Sequence, residues 1–137
     1  MEEARSERMK HKRIVLDTNV LASALMSPFG NPAKIYKLFL TEEITLVYSE
    51  EIIAEYEDVL NRPHLRIPSE DAATVLTAIR QYGDMVAPNP STDSMQDEND
   101  RVFYDAAKCT NAYLVTGNMR HYPSESFILT PTEFLNI

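Results

Sequence analysis

Glycine is scarce in this chain: Gly30, Gly83 and Gly117 are the only three in 137 residues. Phosphate-cradling loops of the ATP-binding or dinucleotide-binding kind need several glycines in one short stretch, so neither can be written, and no nucleotide cofactor is expected. Cysteine is rarer still. Cys109 stands alone, which excludes an internal disulfide and a cysteine-based zinc site and reads as a small buried or half-buried thiol. No apolar run approaches the roughly 18 residues of a membrane span, and the charged N-terminus has no apolar segment behind it to act as a secretory signal. A cytoplasmic protein without membrane contact is expected. Positive charge is also short, with 13 Lys and Arg against 21 Asp and Glu and a net charge of −8. Broad phosphate neutralisation therefore cannot be the way it meets nucleic acid. Five of the thirteen basic residues (Arg5, Arg8, Lys10, Lys12 and Arg13) crowd the first thirteen positions. Residues 1–12 are read as a charged, solvated tail ahead of one domain over 13–137.

Short apolar runs are what the chain does have. Ile14-Val15-Leu16 stops at Asp17, and Ile44 to Tyr48 stops at Ser49. Ala112 to Val115 precedes Thr116-Gly117, Phe127 to Leu129 precedes Thr130-Pro131, and Met85 to Ala87 adds a short fifth run. Runs of this length, with Thr45 their one plainly polar member, suit strands buried on both faces. Between them the period becomes helical. Ala72, Val75, Leu76, Ile79 and Tyr82 follow a capping-type Ser69, and Ile52, Ile53, Tyr56, Val59 and Leu60 follow Ser49. Val102, Phe103, Ala106 and Ala107 make a third face, and Ala33, Tyr36, Phe39 and Leu40 a fourth. Buried strands alternating with amphipathic helices predict an α/β fold with a central parallel sheet of four to five strands.

Ligands of such sheets gather beyond the carboxyl ends of the strands, which directs attention to Asp17-Thr18-Asn19, to Ser49 and to Thr116-Gly117-Asn118. Asp17 taken alone reads as a helix cap. On the helix after Ser49, Glu55 and Glu57 sit on opposite shoulders of the apolar stripe, and periodicity does not choose between them. Asp97 and Asp100, three apart ahead of Val102-Phe103, share a side of their helix and also read as caps. Convergence changes this. Three acidic sites at neighbouring strand ends repel one another unless cations neutralise them, and hard divalent ions prefer such oxygen ligands. A carboxylate-held ion without His or Cys ligands suits phosphodiester hydrolysis. Glu57, Asp58 and Asp105 are expected to face solvent. His11, His64 and His121 are scattered and read as surface or structural residues. Tyr48, Tyr56 and Tyr104 read as core or core edge rather than as platforms for bases.

These segments resemble the PIN-domain family. Ile14-Val15-Leu16-Asp17-Thr18-Asn19-Val20 resembles its opening motif, and Ser49 through Glu55-Tyr56 to Asn61-Arg62-Pro63 is similar to its second block, whose acid falls at Glu55. Asp97-Glu98-Asn99-Asp100 with Phe103 and Ala106-Ala107 resembles the third block, placing the central acid at Asp100 with Asp97 as accessory. Ala112 to Asn118 and Thr130 to Leu135 resemble the fourth block and the closing strand and helix. The likeness runs from about Arg13 to Ile137 and is to the toxin branch of bacterial toxin–antitoxin proteins. It implies a three-layer α/β/α fold, a Mg²⁺- or Mn²⁺-dependent ribonuclease, RNA as substrate, a homodimer and an antitoxin protein as partner. In that pattern Asp17, Glu55 and Asp100 are catalytic and hold metal with Asp97, while Thr18, Asn19, Thr116 and Asn118 orient substrate or water. Asn118 departs from the family, many of whose members carry a fourth acid there. The rival reading is a PIN-like module that binds RNA or protein without cutting.

Overall fold

The computed structural model describes residues 12–137; the basic residues ahead of Lys12 lie outside them. Its sheet has five strands, all parallel, in the order β3-β2-β1-β4-β5. These are β1 (Lys12–Leu16), β2 (Ile44–Tyr48), β3 (Asp84–Met85), β4 (Tyr113–Val115) and β5 (Ile128–Leu129). Helices α1 (Thr18–Met26) and α2 (Asn31–Leu40) connect β1 to β2, and α3 (Glu50–Leu60) and α4 (Ser69–Tyr82) connect β2 to β3. Helix α5 (Arg101–Thr110) leads into β4, and α6 (Pro131–Leu135) follows β5. The helices enclose the sheet in a three-layer α/β/α arrangement.

Ile14, Val15 and Leu16 are buried to within 1% of completely, as their unbroken apolar run requires of the middle strand of a covered sheet. Val15 pairs with Leu114 and Ile14 with Leu46, so the ends of β1 and β4 open side by side. The strand order changes direction at this β1–β4 boundary, the kind of place where open α/β sheets present their sites. Helix α5 packs on β1, β2 and β4 through Phe103, Tyr104, Ala106 and Ala107.

Several local expectations change. Lys12 belongs to β1 rather than to the tail, with its ammonium over the Tyr113 ring, and Arg13 pairs with Asp84 and donates to the Thr110 carbonyl. Two of the five N-terminal cations therefore tie strands of the sheet together, and Arg13 also ties it to the end of α5. Ser69 is the first residue of α4 and makes no capping bond; Pro68 precedes it at the cap position. Cys109 is exposed, because it lies two residues past Ala107 and the helical turn carries it away from the sheet. Tyr48, Tyr56 and Tyr104 are all buried in the core. Among the described residues no helix is long and apolar enough to cross a membrane.

Candidate active site

Asp17 ends β1 and stands at the N-cap of α1, yet its side chain makes no capping bond. Its Oδ2 instead accepts from the Thr116 hydroxyl at 2.7 Å and from the Tyr122 hydroxyl at 3.1 Å. The residue is only 6% exposed. Thr116 in turn accepts from the backbone N–H of Asn118 at 2.9 Å, which leaves the hydroxyl proton to point at Asp17. Tyr56, one residue after Glu55 on α3, donates from its hydroxyl to the Leu16 carbonyl and so ties α3 to the end of β1. Its phenol is pushed far up by burial and then by the charge of Asp17, so it remains a neutral donor.

Asp100 closes a 3-10 turn, Glu98–Asp100, that runs directly into α5, and its backbone is already helical. Its side chain turns to His121, whose Nδ1 lies 3.1 Å from its Oδ2. An ionised carboxylate only accepts, so Nδ1 carries the proton, leaving Nε2 to accept from the Asn118 amide nitrogen at 3.2 Å. Burial raises the pKa of Asp100 most, the charges of Asp17 and then Asp97 raise it further, and His121 opposes them. Tyr122 is raised by burial and then by the charges of both Asp17 and Asp100. The charge of Asp17 thus bears on Asp100, and both aspartates bear on one phenol at the open end of β1 and β4.

The other sequence-derived candidates fall unevenly around this pair. Asp97 is exposed and its Oδ1 accepts from the Asn99 backbone N–H at 2.9 Å, an actual cap, while its charge still reaches Asp100. Glu55 is half-buried and makes no hydrogen bond or ion pair among the described residues; Glu57 and Asp58 are exposed. Thr18 is buried with a hydroxyl that has no hydrogen-bond partner, and Asn19 is exposed. Among the described residues, no group of three or more His, Cys, Asp or Glu side chains is assembled closely enough to hold a metal ion. The donor chemistry at Asp17 and Asp100 nonetheless fits a hard divalent cation: two carboxylates that cap no helix, with the charge of Asp17 raising the cost of charge on Asp100, next in sequence to an unpartnered Thr18 hydroxyl.

His121, expected as a surface or structural residue, has a structural part within the site: it bridges Asp100 and Asn118. Its sequence signal was slight, a histidine three residues beyond a polar strand end, and the turn at Met119–His121 is what folds it back. Tyr122 was missed altogether, since a lone tyrosine before a proline carries no motif. Asp105 does not face solvent. It is 6% exposed, because the loop after β3 folds over α5 and the Ser91 backbone N–H donates to its Oδ2 at 3.1 Å.

Comparison with known proteins follows the same outline. The family model described as "PIN domain" matches residues 13–120. An uncharacterized protein of Methanocaldococcus jannaschii is 34% identical over 115 residues, which is 82% of this chain and 74% of that protein. Among solved structures, VapBC2 from Rickettsia felis, crystallised bound to a DNA fragment from its promoter, has a similar fold with a TM-score of 0.56. That likeness covers 85% of this chain and 96% of the other at 18% identity.

Proposed function

Because the chain belongs to the PIN-domain family, whose members are generally nucleases that hydrolyse phosphodiester bonds, we infer that it is a divalent-metal-dependent endoribonuclease and the toxin of a toxin–antitoxin pair. One observation carries this reading. Asp17 stands at a helix start without capping it, Asp100 turns its carboxylate to His121 at the junction of a 3-10 turn with α5, and the charge of Asp17 helps to lift the pKa of Asp100. A helix terminus that forgoes its capping bond, as at Asp17, gives up about 1 kcal/mol, and neighbouring carboxylates cost more, so the arrangement makes sense where a cation is to be held.

Asp17 and Asp100 would hold the ion, Mg²⁺ or Mn²⁺, with Glu55 and Asp97 as further carboxylates. Bound there, such an ion activates water and stabilises the attacking and leaving oxygens of a phosphodiester. The chain's own part is positional. Thr116 and Tyr122 fix one oxygen of Asp17, and His121 fixes one oxygen of Asp100, so each carboxylate presents its remaining oxygen in a set direction. Asn118 holds both Thr116 and His121. Thr18 and Asn19 lie beside Asp17 to orient substrate or water. The resemblance to toxins, together with the fold shared with VapBC2, supports an antitoxin protein as partner and a homodimer as the assembly.

A second reading, a PIN-like module that binds RNA or protein without cutting, is favoured by Asn118, an amide where many relatives have an acid, and by the lack of a preassembled group of three acids among the described residues. The deciding experiment incubates the purified protein with mixed RNA in Mn²⁺, in Mg²⁺ and in EDTA. Cleavage confined to the metal-containing reactions is expected. Intact RNA under all three conditions would overturn the enzyme and leave the module.

A further inference from the structure

Hydrogen bonds at the open end of β1 and β4 are spread unevenly over the carboxylate oxygens. An ionised carboxylate oxygen only accepts, and it has two lone pairs to accept with. Both are taken on Asp17 Oδ2, by the Thr116 hydroxyl at 2.7 Å and by the Tyr122 hydroxyl at 3.1 Å. Neither donor is free to turn away. Thr116 is completely buried and its oxygen accepts the Asn118 backbone N–H at 2.9 Å. Tyr122 is buried too, and burial with the charges of Asp17 and Asp100 pushes its phenol far up, so it keeps its proton. Asp17 Oδ1 accepts no hydrogen bond among the described residues and stays open to solvent, unlike the sealed and unpartnered Thr18 hydroxyl and Asp105 Oδ1. Asp100 and Asp97 show a milder form of the same asymmetry. His121 Nδ1 holds Asp100 Oδ2 at 3.1 Å, and the Asn99 backbone N–H donates to Asp97 Oδ1 at 2.9 Å. Glu55 alone of the four candidate carboxylates has no such bond among the described residues.

Calcium surrounds itself with about six to eight oxygens and often takes both oxygens of one carboxylate, whereas magnesium keeps a near-ideal octahedron made of few carboxylates and several waters. Manganese shares that octahedral preference for oxygen. A carboxylate with one oxygen already full can supply only the other. We propose that Thr116 and Tyr122 make Asp17 a one-oxygen ligand and thereby set the metal preference of the site, for Mg²⁺ and Mn²⁺ and against Ca²⁺. The inference rests on the reading of Asp17 and Asp100 as metal ligands and adds to it what selects the ion. Thr116 and Tyr122 are positioning residues here, since they act through Asp17 and not by contact with the ion. A phenylalanine at position 122 would give the same apolar packing without the hydroxyl, so burial of the ring does not account for the hydrogen bond.

The test is calorimetric titration of the purified protein with Mn²⁺ and, separately, with Ca²⁺, which needs neither RNA nor turnover. Wild type binds Mn²⁺ more tightly than Ca²⁺. Tyr122→Phe removes a single oxygen and frees one lone pair on Asp17 Oδ2, so it narrows that ratio by about fivefold or more, chiefly by strengthening Ca²⁺. Thr116→Val narrows it as well, Thr116→Ser keeps the hydroxyl and the wild-type ratio, and Glu57→Gln, on the exposed side of α3, leaves the ratio unchanged. A purely structural role would weaken both ions together and leave their ratio alone. Should either Tyr122→Phe or Thr116→Val fail to fold, the other decides. Mn²⁺ binding with the same ratio in wild type and variant overturns this inference and leaves the metal-dependent nuclease standing. A wild type that prefers Ca²⁺ overturns it in the same way, and a wild type that binds neither ion overturns both.

Discussion

At the scale of single residues, the centre of the site is a pair of carboxylates turned away from their own helices. Ser49 and Thr130 cap their helices through side-chain bonds and Asp97 caps the 3-10 turn Glu98–Asp100, whereas Asp17 at the start of α1 caps nothing and Asp100 faces His121. Replacing either with Asn keeps shape and hydrogen bonding but removes charge. Asp17→Asn and Asp100→Asn should each lower Mn²⁺-dependent RNA cleavage by at least about a hundredfold, the scale on which removing a group that acts only in the transition state is felt. Circular dichroism should show the fold unchanged, and a purified Asp17→Asn protein that cuts at the wild-type rate would contradict the assignment. Asn118 poses the converse question. An amide oxygen can ligate but carries no charge, so Asn118→Asp should tighten Mn²⁺ binding by calorimetry; equal or weaker affinity would show that its work is to hold His121 and Thr116 in place.

Elements position the site through a few contacts that admit no substitution. Helix α4 ends at Gly83, whose N–H donates to the Ile79 carbonyl at 2.8 Å. A Cβ built on Gly83 would come 2.6 Å from the Ile79 carbonyl oxygen and 2.8 Å from that of Leu46. Both are backbone atoms, one in α4 and one in β2, so neither can swing aside. Gly83→Ala should cost about 1–3 kcal/mol by overpacking and lower the melting temperature, while Gly30→Ala, whose nearest neighbours stand at 3.6 Å, should melt close to wild type. Equal melting of the two variants would mean that α4 and β2 yield more easily than their packing indicates. At the other end of the chain, α6 opens with a reciprocal capping box between Thr130 and Glu133 and buries Phe134 completely. Thr130→Ala should therefore cost about 1 kcal/mol and Phe134→Ala about 3–5 kcal/mol, an ordering that urea denaturation can check.

For the whole molecule the governing fact is acidity. A chain of net charge −8 that acts on a polyanion must bring cations with it, and binding confined to the folded state must stabilise that state. Mn²⁺ at 100 times its dissociation constant should add about 2.7 kcal/mol and raise the melting temperature of wild type, with most of the gain lost in Asp17→Asn. A wild-type melt unmoved by millimolar Mn²⁺, or an equal shift in the variant, would place the ions on the general acidic surface.

The fold and half of the candidate site were legible in the order of residues alone, because a strand buried on both faces must be largely apolar and must end where the polar residues begin. That rule located β1 and β4, and with them Asp17 and Thr116; helical periodicity then located α3 and α5 and their acids. It could not choose Glu55 over Glu57, a choice left to family resemblance, and the structure half-buries the first while exposing the second. What only tertiary structure decided was every contact made by a side chain whose neighbours come from distant segments. Tyr122 reaches Asp17 across 105 positions of sequence, His121 reaches Asp100 across 21, and Asp105 is buried by a loop that no periodicity describes. Local pattern reports which face a residue presents to its own element. Which other element arrives to cover that face depends on how the parallel strands are ordered, and here the order β3-β2-β1-β4-β5 sets β1 beside β4 and brings the two aspartates within reach of each other's charge.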